Sequence, residues 1–295
     1  MSFLDSLRSL LKTEKKLDVE ARFERLRSSV SGTMGDFSVV RDRQENRIVG
    51  LKLCDPEKFA TFEARFKGLK KPTEGEIALQ MDHPRVMKTF EAGMTTKNQH
   101  YLVSEFIEGP GLQQIVQKRN EKALRGRRLN LIRQMAEAIA YVHKKGFIHR
   151  DVCPRNFICY EDLENLKLID FGLTVPAKKE FMQPGNRTGT PLFMAPEIVR
   201  RRATDQRVDV FAFGVTAYNV CCFEFPWPSA DTSGRAALHH DTAPPVELLK
   251  FCPDLNPVLA KAIMNCMQAD LGKRTDSMDR FLSQIERLKS EFASP

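Results

Sequence analysis

The sequence lacks the cysteine patterns that would place it among disulfide-rich or zinc-binding proteins. Its seven cysteines include no Cys-x-x-Cys pair, and only Cys221 and Cys222 are adjacent. An odd, scattered set of this kind fits neither a disulfide framework nor a tetrahedral zinc site. The cysteine usage therefore favours a reducing compartment, and we expect a cytoplasmic protein.

Long hydrophobic runs are also scarce. The most apolar window, Val208 to Cys222, is interrupted by Asp209 and is too short to cross a bilayer as a helix. No charged segment followed by an apolar one opens the sequence, so no secretory signal is recognisable. We predict no transmembrane segment and interpret the window as a buried core helix.

Acidic residues are outnumbered: 46 Lys and Arg oppose 38 Asp and Glu, which leaves a formal net charge of +8. The basic residues are dispersed along the chain, and no RNA-binding aromatic motif, zinc spacing or basic helix accompanies them. We therefore expect no nucleic-acid binding. A basic surface that serves acidic ligands or partners is the simpler interpretation.

What the sequence does contain is a strand-rich first third. Residue patterns typical of strands surround one helical stretch, Glu57 to Met81, which Lys71-Pro72 interrupts, so a second helix is expected to start at Pro72 or Thr73. The predicted strands are Phe37 to Val40, Ile48 to Leu53 and His100 to Phe106.

After Gly109-Pro110-Gly111 the pattern becomes mostly helical. The predicted fold class is therefore α+β, with a small β-rich N-lobe that carries one main helix and a larger, mostly helical C-lobe. We assign residues 21–106 to the N-lobe, 107–111 to a hinge and 112–290 to the C-lobe. The main predicted C-lobe helices are Leu129 to Lys145, Val208 to Val220, Pro257 to Gln268 and Asp276 to Leu288, with a shorter one at Leu112 to Val116.

Residues 1–20 are predicted to form an amphipathic extension. Five apolar residues recur there at helical spacing: Phe3, Leu4, Leu7, Leu10 and Leu11. Packing on the domain or on a second chain is the favoured role. Contact with a membrane surface is less favoured, because five apolar residues give a modest buried face.

The strongest chemical signal is His149-Arg150-Asp151 with Asn156, followed fourteen residues later by Asp170-Phe171-Gly172. Phosphoryl transfer needs a carboxylate that accepts or orients the hydroxyl proton, and an amide oxygen and a second carboxylate that hold Mg²⁺ against the phosphates. Asp151, Asn156 and Asp170 supply these groups. Each would be uninformative alone, but the order of the two motifs makes chance a poor explanation.

With Ala195-Pro196-Glu197, these motifs resemble the C-lobe signatures of the eukaryotic-type (Hanks-type) protein kinases, and the resemblance covers roughly Phe23 to Leu288. It implies the bilobal kinase fold, with ATP and Mg²⁺ as cofactors and a protein as substrate. The implied roles are a catalytic base at Asp151, Mg²⁺ ligands at Asn156 and Asp170, and a packing switch at Phe171.

The resemblance extends to the nucleotide-binding residues of the N-lobe. Lys52 in Val49-Gly50-Leu51-Lys52 looks like the lysine that pairs with the α and β phosphates. Glu74, ten residues before Pro84, is its expected helix partner, although Glu76 lies nearby. The adenine is expected to bind the backbone of Glu105 and Ile107 and to lie between Val40, Gly50 and Ile158. Ser104 falls at the gatekeeper position; Gly50 and Ser104 are both small, which indicates either a roomy adenine pocket or local packing.

The Gly-rich loop departs from the family pattern. Alignment of Phe37 with the loop-tip aromatic and Val40 with the closing valine puts Thr33, Gly35 and Ser38 at the three glycine positions, so only Gly35 remains. An alternative register starts at Gly32 and loses the aromatic match. The two replacements either weaken nucleotide binding or merely stiffen the loop.

A second departure concerns substrate class. Cys153 stands where Ser/Thr kinases usually have a lysine near the transferred phosphate. Arg155 resembles the arginine of tyrosine kinases, which can serve that end of the site, so the resemblance implies a catalytic role for Arg155. Gly189-Thr190-Pro191, however, resembles the Ser/Thr substrate loop, with Thr190 placed to hydrogen-bond Asp151. Ser/Thr specificity is favoured and dual specificity stays open.

Three further residues are expected to be structural. Asp209 should accept backbone hydrogen bonds from the catalytic loop, because a buried carboxylate without such partners would be costly. Glu197 should pair with Arg274. Both roles follow from the resemblance.

The resulting hypothesis is an ATP- and Mg²⁺-dependent Ser/Thr protein kinase that autophosphorylates, with Thr188 as the leading site. The main rival is a pseudokinase that binds nucleotide as a scaffold. The degenerate Gly-rich loop favours it, and the presence of all four key residues, Lys52, Asp151, Asn156 and Asp170, disfavours it. A small-molecule kinase would not need Ala195-Pro196-Glu197 and ranks low.

Overall fold

The computed structural model describes residues 16–32, 34–185, 187–228 and 236–293, and the predicted N-terminal helix lies outside them. The chain divides into two compact units. The first comprises the described part of residues 1–67, together with 75–80 and 88–106, and the second comprises 68–74, 81–87 and the described residues from 107 onward. Along the chain, the last boundary between them falls between Phe106 and Ile107.

The first unit is built on an antiparallel sheet in the order β1-β3-β4-β6-β5, with β2 paired to β3. Asn46, in the turn between β3 and β4, adopts a left-handed φ of 48°, which asparagine tolerates better than most residues. The strands are β1 Phe23–Arg25, β2 Val30–Ser31, β3 Gly35–Asp42, β4 Arg47–Cys54, β5 Thr89–Met94 and β6 His100–Glu105; helix α1 is Val19–Arg22.

The two faces of this sheet carry different side chains. Val40 pairs with Val49, and both join a buried cluster that also contains Phe23, Leu51, Tyr101 and Val103. Because side chains alternate along a strand, Gly50 and Lys52 belong to the opposite face, together with Phe37, the cross-strand partner of Lys52.

The predicted helical stretch of the first third is shorter and more broken than expected. Helix α2 is Pro56–Glu63, capped by the Asp55 side chain, and a 3₁₀ turn follows over Ala64–Phe66. Helix α3, Glu74–Ala78, begins one residue after the later of the two predicted starts. Gly68, with a φ of 85°, and Pro72 account for the interruption between them.

The second unit is mostly helical, as predicted. Its long helices α6 and α8 cover the predicted segments with end shifts of one or two residues, and α8 is buried along almost its whole length. In chain order the helices are α4 Leu112–Gln117, α5 Glu121–Leu124, α6 Arg128–Lys144, α7 Pro196–Val199, α8 Arg207–Cys222, α9 Leu248–Phe251, α10 Pro257–Cys266 and α11 Met278–Ile285.

Two short β-pairs frame the motif-bearing loops of the second unit. β7 Phe147–Ile148 pairs with β10 Val175–Pro176, and β8 Phe157–Cys159 pairs with β9 Leu166–Leu168. The His149 motif therefore follows β7, and the Asp170 motif follows β9. Among the described residues, no helix combines the length and the apolar character needed to cross a membrane.

The chain beyond α11 is tied back to the helices of the second unit. The buried carboxylate of Glu291 accepts hydrogen bonds from the backbone N–H of Gly126, at 3.0 Å, and of Arg128, at 2.7 Å. Its own carbonyl accepts the N–H of Asn256 at 2.7 Å, and Phe292 forms a β-bridge with Leu255. This terminal segment is therefore part of the packed structure.

Candidate active site

The His149 to Asp151 loop is anchored on one buried carboxylate. Asp209, near the start of α8, accepts the backbone N–H of His149 and of Arg150, each at 2.7 Å, and lies 2.9 Å from Nε2 of His143. Burial alone would raise the pKa of Asp209, but these hydrogen bonds outweigh burial and hold it below its usual value. The predicted structural role of Asp209 is confirmed.

The backbone of the two motifs is strained at one residue in each. Arg150 has a left-handed φ of 68°, and Asp170, in the second motif, has a φ of 65°. A non-glycine residue in this region costs of order 1 to 3 kcal/mol and persists only where its surroundings impose it. The ring of Phe171 contacts that of His149 edge-on, with centroids 5.5 Å apart, and so packs the two motifs together.

The carboxylate of Asp151 is buried and is held by hydrogen bonds at both oxygens. Its Oδ1 accepts the backbone N–H of Thr190 at 3.0 Å and the Thr190 hydroxyl at 2.6 Å. Its Oδ2 accepts from Asn156 Nδ2 at 3.0 Å and from Arg155 Nη2 at 3.1 Å. The predicted contact between Thr190 and Asp151 is confirmed, and the carboxylate has a fixed orientation.

Asn156 and Asp170 present the oxygen chemistry that Mg²⁺ prefers. Both hydrogen bonds of Asn156 Nδ2 go to Asp151, at its carbonyl (2.7 Å) and at its carboxylate, so the amide oxygen is the atom left to bind a cation. Asp170 Oδ1 accepts the backbone N–H of Gly172 at 3.0 Å, which orients that carboxylate. The donor set of this unit therefore fits the metal that the resemblance implies.

Cys153 and Arg155 differ sharply in exposure. Cys153 is buried, with its Sγ 3.8 Å from the Thr190 hydroxyl, and burial followed by the nearby Asp151 carboxylate raises the pKa of its thiol to about 12. Arg155 is half exposed, and its Nη2 donates to Thr190 Oγ1 as well as to Asp151, both at 3.1 Å. A neutral thiol therefore stands at the usual lysine position, and a guanidinium touches the Asp151 carboxylate.

A cavity of about 600 Å³ lies beside this cluster, within the second unit. Its lining includes Arg155, Thr190 and the apolar side chains of Leu192, Phe193 and Phe225. Elsewhere in the second unit, Glu197 pairs with Arg274 through two hydrogen bonds of 2.7 and 3.0 Å. Both side chains are buried, so this predicted pair is confirmed.

The nucleotide-site residues predicted in the first unit lie on β3, β4 and β6. Lys52 pairs across the sheet with Phe37 on one side and Leu102 on the other, and Gly50 pairs with Ser104. The N–H of Glu105 donates to the Lys88 carbonyl at 2.9 Å, and its own carbonyl accepts the Ser104 hydroxyl at 3.2 Å.

Three predicted residues belong to the second unit. Glu74 is buried at the start of α3, and Ile107 is buried after the end of β6. Ile158, in β8, pairs with Lys167 and forms a bridge with Gly111.

The structure corrects the predicted position of Val40. Val40 lies in the buried cluster with Val49, on the face opposite Gly50 and Lys52, so it does not line a site on the lysine face. Phe37, placed at the tip of the Gly-rich loop by the alignment, instead lies within strand β3. The strand register therefore favours the alternative alignment that starts at Gly32; Thr33 lies outside the described residues.

Gly35 and Phe37 have roles that the alignment missed. A Cβ on Gly35 would lie 2.2 Å from the Leu53 carbonyl oxygen, so pairing of β3 with β4 requires glycine there. A Cβ on Gly50 would lie 2.6 Å from the Phe37 ring. The sequence signal that could have revealed the packing of Phe37 was Gly50 itself, because a glycine inside a strand marks close approach by another group.

Fold and motif order together define the class of the molecule, a two-lobed kinase-type domain. The chain belongs to the protein kinase domain family, whose model matches residues 24–284.

Relatives of known name agree with this membership. The chain is 27% identical over 90% of its length to a Clostridium acetobutylicum protein named "Probable serine/threonine-protein kinase", of which it covers 39%. It is 30% identical over 88% of its length to serine/threonine-protein kinase pkn2 of Myxococcus xanthus, and 30% identical over 81% to CBL-interacting protein kinase 25 of Oryza sativa subsp. japonica. It covers 32% and 47% of these two proteins, so it spans less than half of each of the three relatives.

Proposed function

We propose that the protein is an ATP- and Mg²⁺-dependent Ser/Thr kinase that transfers the γ-phosphate of ATP to protein hydroxyls. The observation that carries this proposal is the Asp151 carboxylate, held by Thr190 at one oxygen and by Asn156 and Arg155 at the other. The names of the relatives support the same class of reaction.

Asp151 is the proposed base. The substrate hydroxyl oxygen forms a bond to the γ-phosphorus, its proton passes to Asp151, and the bond from the γ-phosphorus to the bridging oxygen breaks to release ADP. Because hydrogen bonds fix both carboxylate oxygens, little reorganisation is needed as the proton moves. Arg155 and Thr190 then act as positioning groups for this carboxylate.

Asn156 and Asp170 are the proposed Mg²⁺ ligands; the bound cation would neutralise phosphate charge. In the first unit, Lys52 is proposed to contact the α and β phosphates, with Glu74 as its partner. The backbone of Glu105 and Ile107, together with Gly50 and Ile158, is proposed to contact the adenine. Gly35, the first residue of β3, is proposed to border the loop that contacts the phosphates. Val40 has no part in this site.

Protein hydroxyls are the proposed substrates, with serine and threonine favoured over tyrosine. The contact between Thr190 and Asp151 supports this preference, because it occurs in the segment that resembles the Ser/Thr substrate loop. The cavity beside Arg155 offers an apolar surface for a peptide segment. A cytoplasmic location is also proposed, supported by seven free cysteines.

Autophosphorylation at Thr188 is part of the proposal. Thr188 is buried, so transfer to it requires the segment before Gly189 to open. Mass spectrometry of wild-type protein and of an Asp151→Asn variant, both made in bacteria, tests this. Phosphate on Thr188 in the wild type alone is the expected result, and its absence from both samples would contradict autophosphorylation there.

A nucleotide-binding scaffold is the second candidate, because the loop before β3 keeps few glycines and Phe37 lies on the lysine face. Purified protein incubated with Mg²⁺ and γ-labelled ATP, with and without a generic basic protein, distinguishes the two functions. We expect incorporation that Asp151→Asn abolishes. ADP binding without incorporation would favour the scaffold, and no binding would contradict both.

A further inference from the structure

Three residues on one face of the first unit fit together by size. Phe37 lies in β3, Gly50 in β4 and Ser104 in β6, and Gly50 is the direct cross-strand partner of Ser104. Phe37 is only partly buried. A large aromatic side chain is thus adjacent to the two smallest side chains of the neighbouring strands.

Packing, and not backbone conformation, requires the glycine at position 50. Gly50 does not have the left-handed φ that favours glycine. A Cβ at this position would lie 2.6 and 2.7 Å from Cε2 and Cζ of Phe37 and 2.8 Å from the Ser104 hydroxyl. Carbon atoms do not approach so closely without displacement, and glycine within a strand otherwise lowers stability. The Phe37 ring therefore occupies the space that a side chain at position 50 would need.

The ring also lies beside the groups assigned to the nucleotide. Its cross-strand partner is Lys52, proposed to contact the phosphates. Its other neighbour, Ser104, precedes Glu105, whose backbone is proposed to contact the base. Phe37 therefore lies on the same face as the group proposed to contact the phosphates and close to the segment proposed to contact the base.

We propose that Phe37 is a specificity-determining residue of the nucleotide site, and that its ring stacks on the purine base in the space left by Gly50 and Ser104. An aromatic ring and a purine attract each other in offset or edge-to-face arrangements. The large side chain is Phe37 on β3, and the small ones are Gly50 on β4 and Ser104 on β6. This distribution of side-chain size leaves room for the ring to contact the base. This inference rests on the proposed function, because it assumes that a purine nucleotide binds here.

Nucleotide binding tests the proposal without reliance on turnover. The dissociation constant of Mg·ADP is measured by calorimetry for wild type and Phe37→Ala, alongside that of Mg·tripolyphosphate, which has no base. Loss of stacking should weaken ADP binding roughly ten- to a hundredfold and leave tripolyphosphate binding within about twofold.

A matched control is available in the same unit. Phe59 in α2 is also half buried, and its ring contacts His100 with centroids 4.4 Å apart. Phe59→Ala removes a comparable apolar side chain that packs on His100, the first residue of β6 and four residues before Ser104, so it should lower the melting temperature without changing ADP affinity. Phe37→Leu, which keeps apolar bulk and loses the aromatic face, should fold even where Phe37→Ala does not and should weaken ADP binding several-fold.

An exchange of volume between the two strands gives the sharpest test. Gly50→Ala alone should weaken ADP binding at least tenfold, because its methyl group displaces the Phe37 ring. The double variant Phe37→Val with Gly50→Ala moves the bulk from β3 to β4 without restoring an aromatic face, so it should bind ADP no more weakly than Gly50→Ala alone and still several-fold more weakly than wild type. Wild-type affinity in this variant would mean that the ring only fills space, which would overturn the inference. Strong non-additivity is the expected signature of two groups in contact.

The outcomes separate this inference from the proposed function. Wild-type protein that binds no Mg·ADP would overturn both. Wild-type binding together with Phe37→Ala or Phe37→Leu that binds ADP as tightly, or more tightly, would overturn only the inference, since the ring would then fill or block space without contacting the base. Equal weakening of ADP and tripolyphosphate binding would overturn it as well.

Discussion

Different kinds of interaction position the candidate site residues in the two units. In the second unit, hydrogen bonds from named groups fix the Asp151 loop, and each partner lies in a short sequence motif. In the first unit, the lysine face is shaped by the volumes of Phe37, Gly50 and Ser104, which lie on three different strands. Hydrogen-bonding motifs are therefore readable along the chain, whereas packing between strands depends on a register that the sequence alone leaves ambiguous.

The largest expected effect is on turnover and tests the hydrogen-bonded site of the second unit. Asp170→Asn keeps the shape of the side chain and removes the charge of a proposed Mg²⁺ ligand, so the phosphoryl-transfer rate should fall by at least about two orders of magnitude. Labelled-phosphate incorporation measures the rate, and circular dichroism checks that the fold is kept. Wild-type turnover in this variant would refute the assignment of Asp170.

The next effect is on the stability of the second unit. Glu197→Gln leaves the buried Arg274 guanidinium without its charged partner, which should lower the free energy of unfolding by about 3 to 5 kcal/mol. Urea titration followed by tryptophan fluorescence measures it through Trp227. An exposed pair provides the control: Asp276→Asn beside Arg280 should change stability by less than about 0.5 kcal/mol.

Arg155 and Cys153 test whether a guanidinium replaces the usual lysine. If Arg155 acts on the transferring phosphoryl group, Arg155→Ala should lower the maximal rate about ten- to a hundredfold and change the KM for ATP much less. Cys153→Lys in that background should restore part of the rate. A chemical step in single-turnover experiments that Arg155→Ala leaves unchanged would mean that this side chain does not act on the phosphoryl group.

The pH dependence of stability tests the structural role of Asp209. Because its folded pKa lies below the ordinary value of 3.8, its contribution to stability is present above that value and is lost as pH falls through the folded pKa. The difference in unfolding free energy between wild type and Asp209→Asn should therefore shrink below about pH 4. Urea midpoints between pH 3 and 7 would show it, and a difference that grows in acid would contradict the assigned sign.

The smallest effects compare two glycines of the first unit. Gly35→Ala would place a Cβ against the Leu53 carbonyl oxygen and should destabilise this unit by about 1 to 3 kcal/mol. At Gly32 the nearest atom, the Gly35 carbonyl oxygen, is 3.1 Å away, a tight contact that a small shift relieves, so Gly32→Ala should destabilise less than Gly35→Ala. Hydrogen exchange of the amides in β3 and β4 measures the effect of each substitution. Equal losses of protection would show that strand pairing does not require glycine at position 35.

The sequence predicted the α+β class, the break in the helical stretch and most of the Asp151 neighbourhood. The contacts of Thr190, Asp209 and Arg274 were predictable because each joins residues of signature motifs. Val40 was misplaced because an aromatic residue was matched to a loop tip, and a shift of an odd number of residues moves a strand side chain to the other face. The role of Phe37 depends on contacts across three strands, which no single segment encodes.

The buried carboxylate of Glu291 bears on how this domain should be delimited in the laboratory. The family match ends at residue 284, yet Glu291 receives two backbone hydrogen bonds from the segment before α6, and Phe292 bridges to Leu255. A version cut at the family boundary would leave the N–H groups of Gly126 and Arg128 without these acceptors and would uncover apolar surface. Expression variants should therefore extend through Phe292, and a fusion partner should be joined beyond that residue.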